Sequence, residues 1–181
     1  MICFYKSVIN LQNNLLQVAQ DNVNTLFTDF TYFLHAQPTS LGHYMGTYIT
    51  PLSRDLDRMK SYFNRLNLSW AGVGSVNGSR IPIDRKFMAE LYGINDLAIH
   101  LRDAMWMPDI FNEGMFILTN TLASLNRFVQ ELLMWNTKEF NFFELDDSYS
   151  RASVIMPQKK NPYPLAYFRG LVNKLIGSFT S

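Results

Sequence analysis

Met115-Phe116-Ile117-Leu118-Thr119-Asn120-Thr121-Leu122-Ala123-Ser124-Leu125-Asn126-Arg127-Phe128-Val129-Gln130-Glu131-Leu132 is the stretch that decides the fold class. Met115, Leu118, Leu122, Leu125, Val129 and Leu132 recur at alternating steps of three and four, so they line one stripe of a long helix. Such a seam demands a partner helix of similar length. Working outward, the same helical pattern reaches back to about Asp96 and on to Trp135, with Pro108 expected to kink it. Leu16, Ala19, Val23, Leu26 and Phe30 repeat the stripe nearer the N-terminus, and Thr39 to Leu66 reads as another long helix. Thr39 or Ser40 would cap that helix, and Pro51 should kink it or begin a new turn. Trp70 to Pro82 is rich in Gly and Ser and reads as a loop, after which Asp84 caps a short helix that stops near Gly93. Pro164 to Phe179 is the last helix, and convincing β-alternation is found nowhere. The expected fold is all-α, a bundle of long helices, with residues 1–181 as one helical domain.

Bulk composition removes several functions. Net charge is +1 over 181 residues, so there is no electrostatic footprint for nucleic acid or an anionic membrane. Cys3 is the sole cysteine, which rules out an internal disulfide and makes a reducing cytoplasm the expected location. No apolar run reaches the roughly 18 residues of a membrane span, and Met1 to Asn10 does not read as a signal peptide. His35, His43 and His100 are not spaced as a metal cluster. The several apolar seams are satisfied either by the chain's own helices or by oligomerisation.

The chemistry is concentrated in Ser153-Val154-Ile155-Met156-Pro157-Gln158-Lys159-Lys160-Asn161-Pro162, between the acidic stretch Glu144 to Ser150 and the last helix. Lysines beside an amide can hold a carboxylate by charge and by oriented hydrogen bonds. A serine among cations loses its proton more readily, because positive charge favours the alkoxide. Elimination next to a carboxylate needs both: a base for the α-proton, and cations and dipoles for the doubly charged aci-carboxylate that results.

This loop resembles the signature loop of the fumarase/aspartase superfamily of lyases, and its longer form Met-Pro-Gln-Lys-Lys-Asn-Pro is most similar to the argininosuccinate lyase family. The resemblance extends from about Leu11 to Gly177. Thr31-Tyr32-Phe33-Leu34-His35-Ala36-Gln37-Pro38 resembles the family's Thr-His-x-Gln-x-Ala-Gln-Pro segment, matching at Thr31, Ala36, Gln37 and Pro38. Tyr32 stands at the family's histidine, and Ala166 at the glutamate that pairs with it. Ala71 to Gly78, followed by Asp84-Arg85, resembles the family's Gly-rich loop and the Asp-Arg that opens the next helix. Asp103-Ala104, Asp109 and Glu113 match a further stretch, in which His100, Trp106 and Pro108 replace polar residues. Thr137-Lys138-Glu139-Phe140 also matches closely.

The resemblance implies cleavage of argininosuccinate to arginine and fumarate in a cytoplasmic homotetramer, with active sites shared among subunits and no organic cofactor or metal. Ser153 would be the base, Lys159 and Asn161 would take the substrate carboxylate, and Thr31, Gln37, Arg85 and Asp103 would complete substrate binding. Tyr32 is either the proton donor to the leaving amine or a packing residue. The chain would correspond to the central helical domain, without the family's N- and C-terminal domains. Two alternatives stand beside this: a lyase for another succinylated amine, and a non-catalytic helical scaffold.

Overall fold

The computed structural model describes residues 1–181. Six α-helices carry the architecture: α1 (Ile2–Asp21), α2 (Leu41–Leu66), α3 (Arg85–Leu91), α4 (Leu101–Met105), α5 (Pro108–Trp135) and α6 (Tyr163–Thr180). Three small two-stranded sheets punctuate them: β1 (Leu26–Thr31) with β2 (Leu34–Ser40), β3 (Leu68–Ser69) with β4 (Asp96–Leu97), and β5 (Arg151–Ala152) with β6 (Lys160–Asn161). No helix is long and apolar enough to cross a membrane.

The all-α expectation holds, because the long helices bury the core. α1 and α5 both pack against α2, and α6 packs on α5. Leu52 and Met59 of α2 and Ile117 of α5 belong to one buried cluster and have almost no exposed surface. Each such side chain contributes about 1.5–3 kcal/mol by leaving water. α2 starts where Ser40 places its hydroxyl to accept from the His43 N–H at 3.1 Å, and it runs unbroken through Pro51. The buried line on α5 is Ile110, Gly114, Ile117, Thr121, Leu125 and Val129. Of the expected seam, Leu125 and Val129 are fully buried, whereas Met115, Leu118, Leu122 and Leu132 are half-buried. α5 is contacted by helices on two sides, so its apolar stripe is divided between them.

Three boundaries differ from the sequence reading. The helix expected through Val23, Leu26 and Phe30 ends at Asp21, and an antiparallel hairpin follows. Asn22 stops the helix by turning its side chain back to the Val18 carbonyl at 2.9 Å, and it accepts from the Thr25 hydroxyl at 3.0 Å. The residues beyond, Phe27, Thr28, Phe30 and Thr31, are aromatic or β-branched and favour strand. Phe27 is then buried among the rings of Tyr44, Trp135 and Phe142. The hairpin pairs Leu26 with Ser40 and Thr31 with Leu34, its register slips between Thr28 and Phe30, and Tyr32 and Phe33 form the turn. The other two fall in the helix expected from about Asp96: Asp96–Leu97 pairs with Leu68–Ser69 as strand, so helix begins only at Leu101, and Trp106–Met107 separates α4 from α5. Pro108 begins α5 instead of kinking a longer helix, because a proline has no N–H to give and fits the first helical position.

Candidate functional site

α5 delivers the chain to the site. At its end the Asn136 carboxamide oxygen accepts from the Leu145 N–H at 2.8 Å, which folds residues 137–145 back beneath the helix. The acidic stretch then makes a 3-10 turn at Asp147–Tyr149, with the Asp146 carboxylate accepting from both N–H and hydroxyl of Ser148. Those two bonds hold the Asp146 carboxyl below the ordinary carboxylate range.

The signature loop closes on itself. Ser153 N–H donates to the Lys159 carbonyl at 3.2 Å, and Lys159 N–H donates to the Met156 carbonyl at 2.9 Å. Met156 N–H donates to Ser153 Oγ at 3.2 Å. β5 and β6 pin the base, reinforced by the Asn161 carboxamide, which donates to the Arg151 carbonyl at 3.0 Å. Arg151 in turn lies over the Tyr163 ring, 5.4 Å from its centroid. The loop therefore holds Ser153 Oγ against a backbone donor, an arrangement that stabilises negative charge on that oxygen.

The two neighbouring lysines have different environments. Lys160 Nζ bridges Glu144 Oε1 at 2.8 Å and Asp147 Oδ1 at 2.6 Å. These hydrogen bonds, Asp147's first, raise its pKa above the ordinary lysine value. Lys159 makes no ion pair; both lysines line a cavity of about 650 Å3 with Asn136, Thr137, Lys138 and Gln158, a lining that includes neither Ser153 nor Asn161. The anchoring role of Lys160 was missed by sequence reasoning. Its signal was the acidic stretch just before the loop, which supplies both partners.

The remaining predicted residues lie elsewhere. Thr31, Tyr32 and Gln37 are exposed on the β1–β2 hairpin, and none of the three lines the cavity beside Lys159. Arg85 uses its guanidinium on two backbone carbonyls, donating from Nε to Ala71 at 2.8 Å and from an η-nitrogen to Ala98 at 2.9 Å. It thereby ties the Gly-rich loop to the end of β4. Gly74 in that loop has φ +62°, and a Cβ there would lie 2.4 Å from the Gly78 carbonyl oxygen. Asp103 sits in α4 with its carboxylate exposed, its N–H capped by His100 Nδ1 at 3.1 Å. Glu113 joins α5 to α2 through a two-pronged ion pair with Arg65, and that pairing lowers the Glu113 pKa. Ala166 is exposed on the first turn of α6.

The family model described as Lyase matches residues 3–177. The chain belongs to this lyase family, within the fumarase/aspartase superfamily. It is 36% identical over 168 residues to argininosuccinate lyase of Carboxydothermus hydrogenoformans, covering 93% of this chain and 37% of that one. With argininosuccinate lyase of Methanococcoides burtonii the identity is 35% over 181 residues, covering 100% and 37% respectively. This lyase chain thus spans little more than a third of the curated relatives it matches. Among solved structures, EDDS lyase in complex with formate superposes with a TM-score of 0.92 at 30% identity, over 97% of this chain and 35% of that one. A class II fumarase from Schistosoma mansoni superposes with a TM-score of 0.78 at 19% identity, over 97% of this chain and 42% of that one, a likeness of fold alone.

Proposed function

We propose that this chain carries the catalytic loop of a C–N lyase of argininosuccinate type. The observation that supports it is the closed loop in which Ser153 Oγ faces the Met156 N–H while Lys159, without an ion-pair partner, lines the adjacent cavity. Ser153 as alkoxide removes the proton α to a substrate carboxylate. Lys159 and Asn161 hold that carboxylate and stabilise the aci-carboxylate. Collapse of the intermediate breaks the C–N bond, giving fumarate and, once its nitrogen is protonated, arginine. Tyr32 or water supplies that proton. Because the hairpin residues do not line the loop cavity within one chain, this reading takes Thr31, Tyr32 and Gln37 from a neighbouring copy in a homotetramer. The exposed Phe111 and Phe116 on α5 and Tyr167 and Leu171 on α6 provide apolar surface for such packing. Arg85 holds the Gly-rich loop through two backbone carbonyls, and Asp103, whose exposed carboxylate has no partner, keeps its substrate-binding role, offered like the hairpin residues to a neighbouring copy.

The likeness to EDDS lyase favours a second reading, in which the same loop cleaves another succinylated amine. Tyr32 and Ala166, which replace the histidine–glutamate pair that the family resemblance implies, favour a third, a helical scaffold without turnover.

Fumarate release from argininosuccinate, followed by ultraviolet absorbance, separates these readings. Turnover that falls at least about a hundredfold in Ser153→Ala supports the base. Turnover unchanged in that variant refutes it. A well-folded oligomer silent towards argininosuccinate but releasing fumarate from another succinylated amine supports the second reading. Silence towards both supports the scaffold.

A further inference from the structure

We propose that an aromatic recess beneath the β1–β2 turn binds a small organic cation, a guanidinium or ammonium group, with Glu131 as its counter-ion. Within one chain the recess shares no lining with the signature-loop cavity; Tyr32 on its rim also belongs to the proposed lyase site, and the test below reads cation binding instead of turnover. A recess of about 220 Å3 opens between the hairpin tip and the last two turns of α5. Its walls are the rings of Phe30, Tyr32, Phe33, Tyr44, Trp135 and Phe140, and its one charged group is the Glu131 carboxylate.

Three independent features of this recess have the same electrostatic sign. First, Glu131 is held in place by the Tyr44 hydroxyl, which donates to Oε2 at 2.8 Å. Its one ion-pair partner sits at the edge of pairing distance: Arg127 Nε lies 4.0 Å from Oε1, on a side chain that is 72% exposed, against 17% for Glu131. Second, Glu131, Met134 and Trp135 occupy the C-terminal end of a 28-residue helix that has no basic residue in its last turn. The helix dipole makes that end favourable for positive charge. Third, aromatic faces attract cations through their quadrupole, most strongly where water is excluded. Burial, and then the neighbouring carboxylate, push the Tyr44 hydroxyl well above its usual pKa, so it remains a donor to Glu131 and adds no competing charge.

The outer wall is built in an unusual way. Tyr32 and Phe33 both have positive φ, 52° and 63°, a turn geometry that usually takes Asn-Gly. Two bulky rings accept a sterically disfavoured backbone there and remain 96% and 71% exposed. A flat or compact cation seated on Glu131 would cover the inner faces of both rings.

The test uses the full chain labelled with [13C]methyl-methionine, with the Met134 resonance assigned by Met134→Leu. Methylguanidinium and tetramethylammonium are titrated against it, with methylurea as the uncharged isostere. The expected result is a saturable Met134 shift with at least one of the two cations and none with methylurea. Preference for methylguanidinium would mark a planar hydrogen-bonding ligand, and the reverse a quaternary ammonium. Glu131→Gln, which keeps the acceptor for Tyr44, should weaken binding about tenfold or more. Tyr32→Ala removes an almost wholly exposed ring and should weaken it several-fold, while Arg127→Ala should not weaken it. Absence of saturation by either cation, equal binding of methylurea, or unchanged affinity in Glu131→Gln overturns the assignment.

Discussion

Gly114→Ala places two effects in opposition, and the geometry decides which prevails. In the middle of a helix, glycine to alanine is ordinarily worth about 1 kcal/mol of added stability. Gly114 is buried on α5 where it meets α2, and a Cβ there would lie 2.7 Å from Tyr62 Oη and 3.1 Å from Tyr62 Cζ. Both distances are well inside the roughly 3.5–4.0 Å of a comfortable non-bonded contact. Tyr62 is only 6% exposed, so its ring cannot swing into solvent to make room. Overpacking of this kind costs about 1–3 kcal/mol, and a contact with the rigid part of a buried ring belongs in the upper half of that range. The net expectation is destabilisation by about 1–2 kcal/mol. Urea unfolding followed by far-ultraviolet circular dichroism should show a lower midpoint with an unchanged slope. Tyr62→Phe removes the nearest atom and leaves Cζ, so the double variant should regain about 1 kcal/mol relative to the sum of the single changes. A Gly114→Ala protein stabilised by the full helix-propensity gain, or a double-variant coupling of zero, would refute the claim that α2 and α5 touch through this glycine.

Two further tests address the charged groups around the site. Lys160→Met should cut the tether to Glu144 and Asp147. All three side chains are at least half exposed, so solvent screens the pairs and global stability should scarcely change. The Ser153 and Met156 amides should nonetheless lose hydrogen-exchange protection, and unchanged protection would show that the loop holds itself closed. Arg65→Met should let the Glu113 carboxyl rise towards its ordinary value, read by NMR titration, since the Arg65 hydrogen bond is the main cause of its depression. The sign follows from that direction. A carboxyl depressed in the folded state contributes stability above its unfolded pKa, and that contribution is lost as pH falls through the lower folded value. The wild-type protein should therefore lose more stability on acidification than the variant, and equal acid sensitivity would count against the pair.

Helix identity was legible because it is a local property. The Ser40 and Asp84 caps, the helicity of α5 and the loop from Trp70 to Pro82 all stand where the residues placed them, although the buried line of α5 shares only Leu125 and Val129 with the expected seam. The seam through Leu16, Ala19, Val23, Leu26 and Phe30 was misleading, since its spacing suits a helix while the second half of it folds as strand. What decides between the two is a partner: β1 needs β2 for its hydrogen bonds, and Phe27 needs Tyr44, Trp135 and Phe142 for its contacts. The Pro108 boundary was ambiguous for a similar reason, because a proline at a first helical turn and a proline at a kink look alike in sequence.

For the site the division is the same. Alone, the sequence determined the all-α class, the lyase family and the residues of the Ser153–Asn161 loop, because these rest on neighbouring residues and on short spacings. Only the tertiary structure decided that Lys160 is tied down while Lys159 has no ion pair, that Arg85 serves the backbone, and that Glu131 shares a recess with rings from Phe30 to Phe140. Those facts depend on groups as far apart in the chain as Phe30 and Phe140 meeting at contact distance. The energy of such meetings comes from burial and charge pairing, which chain spacing does not encode.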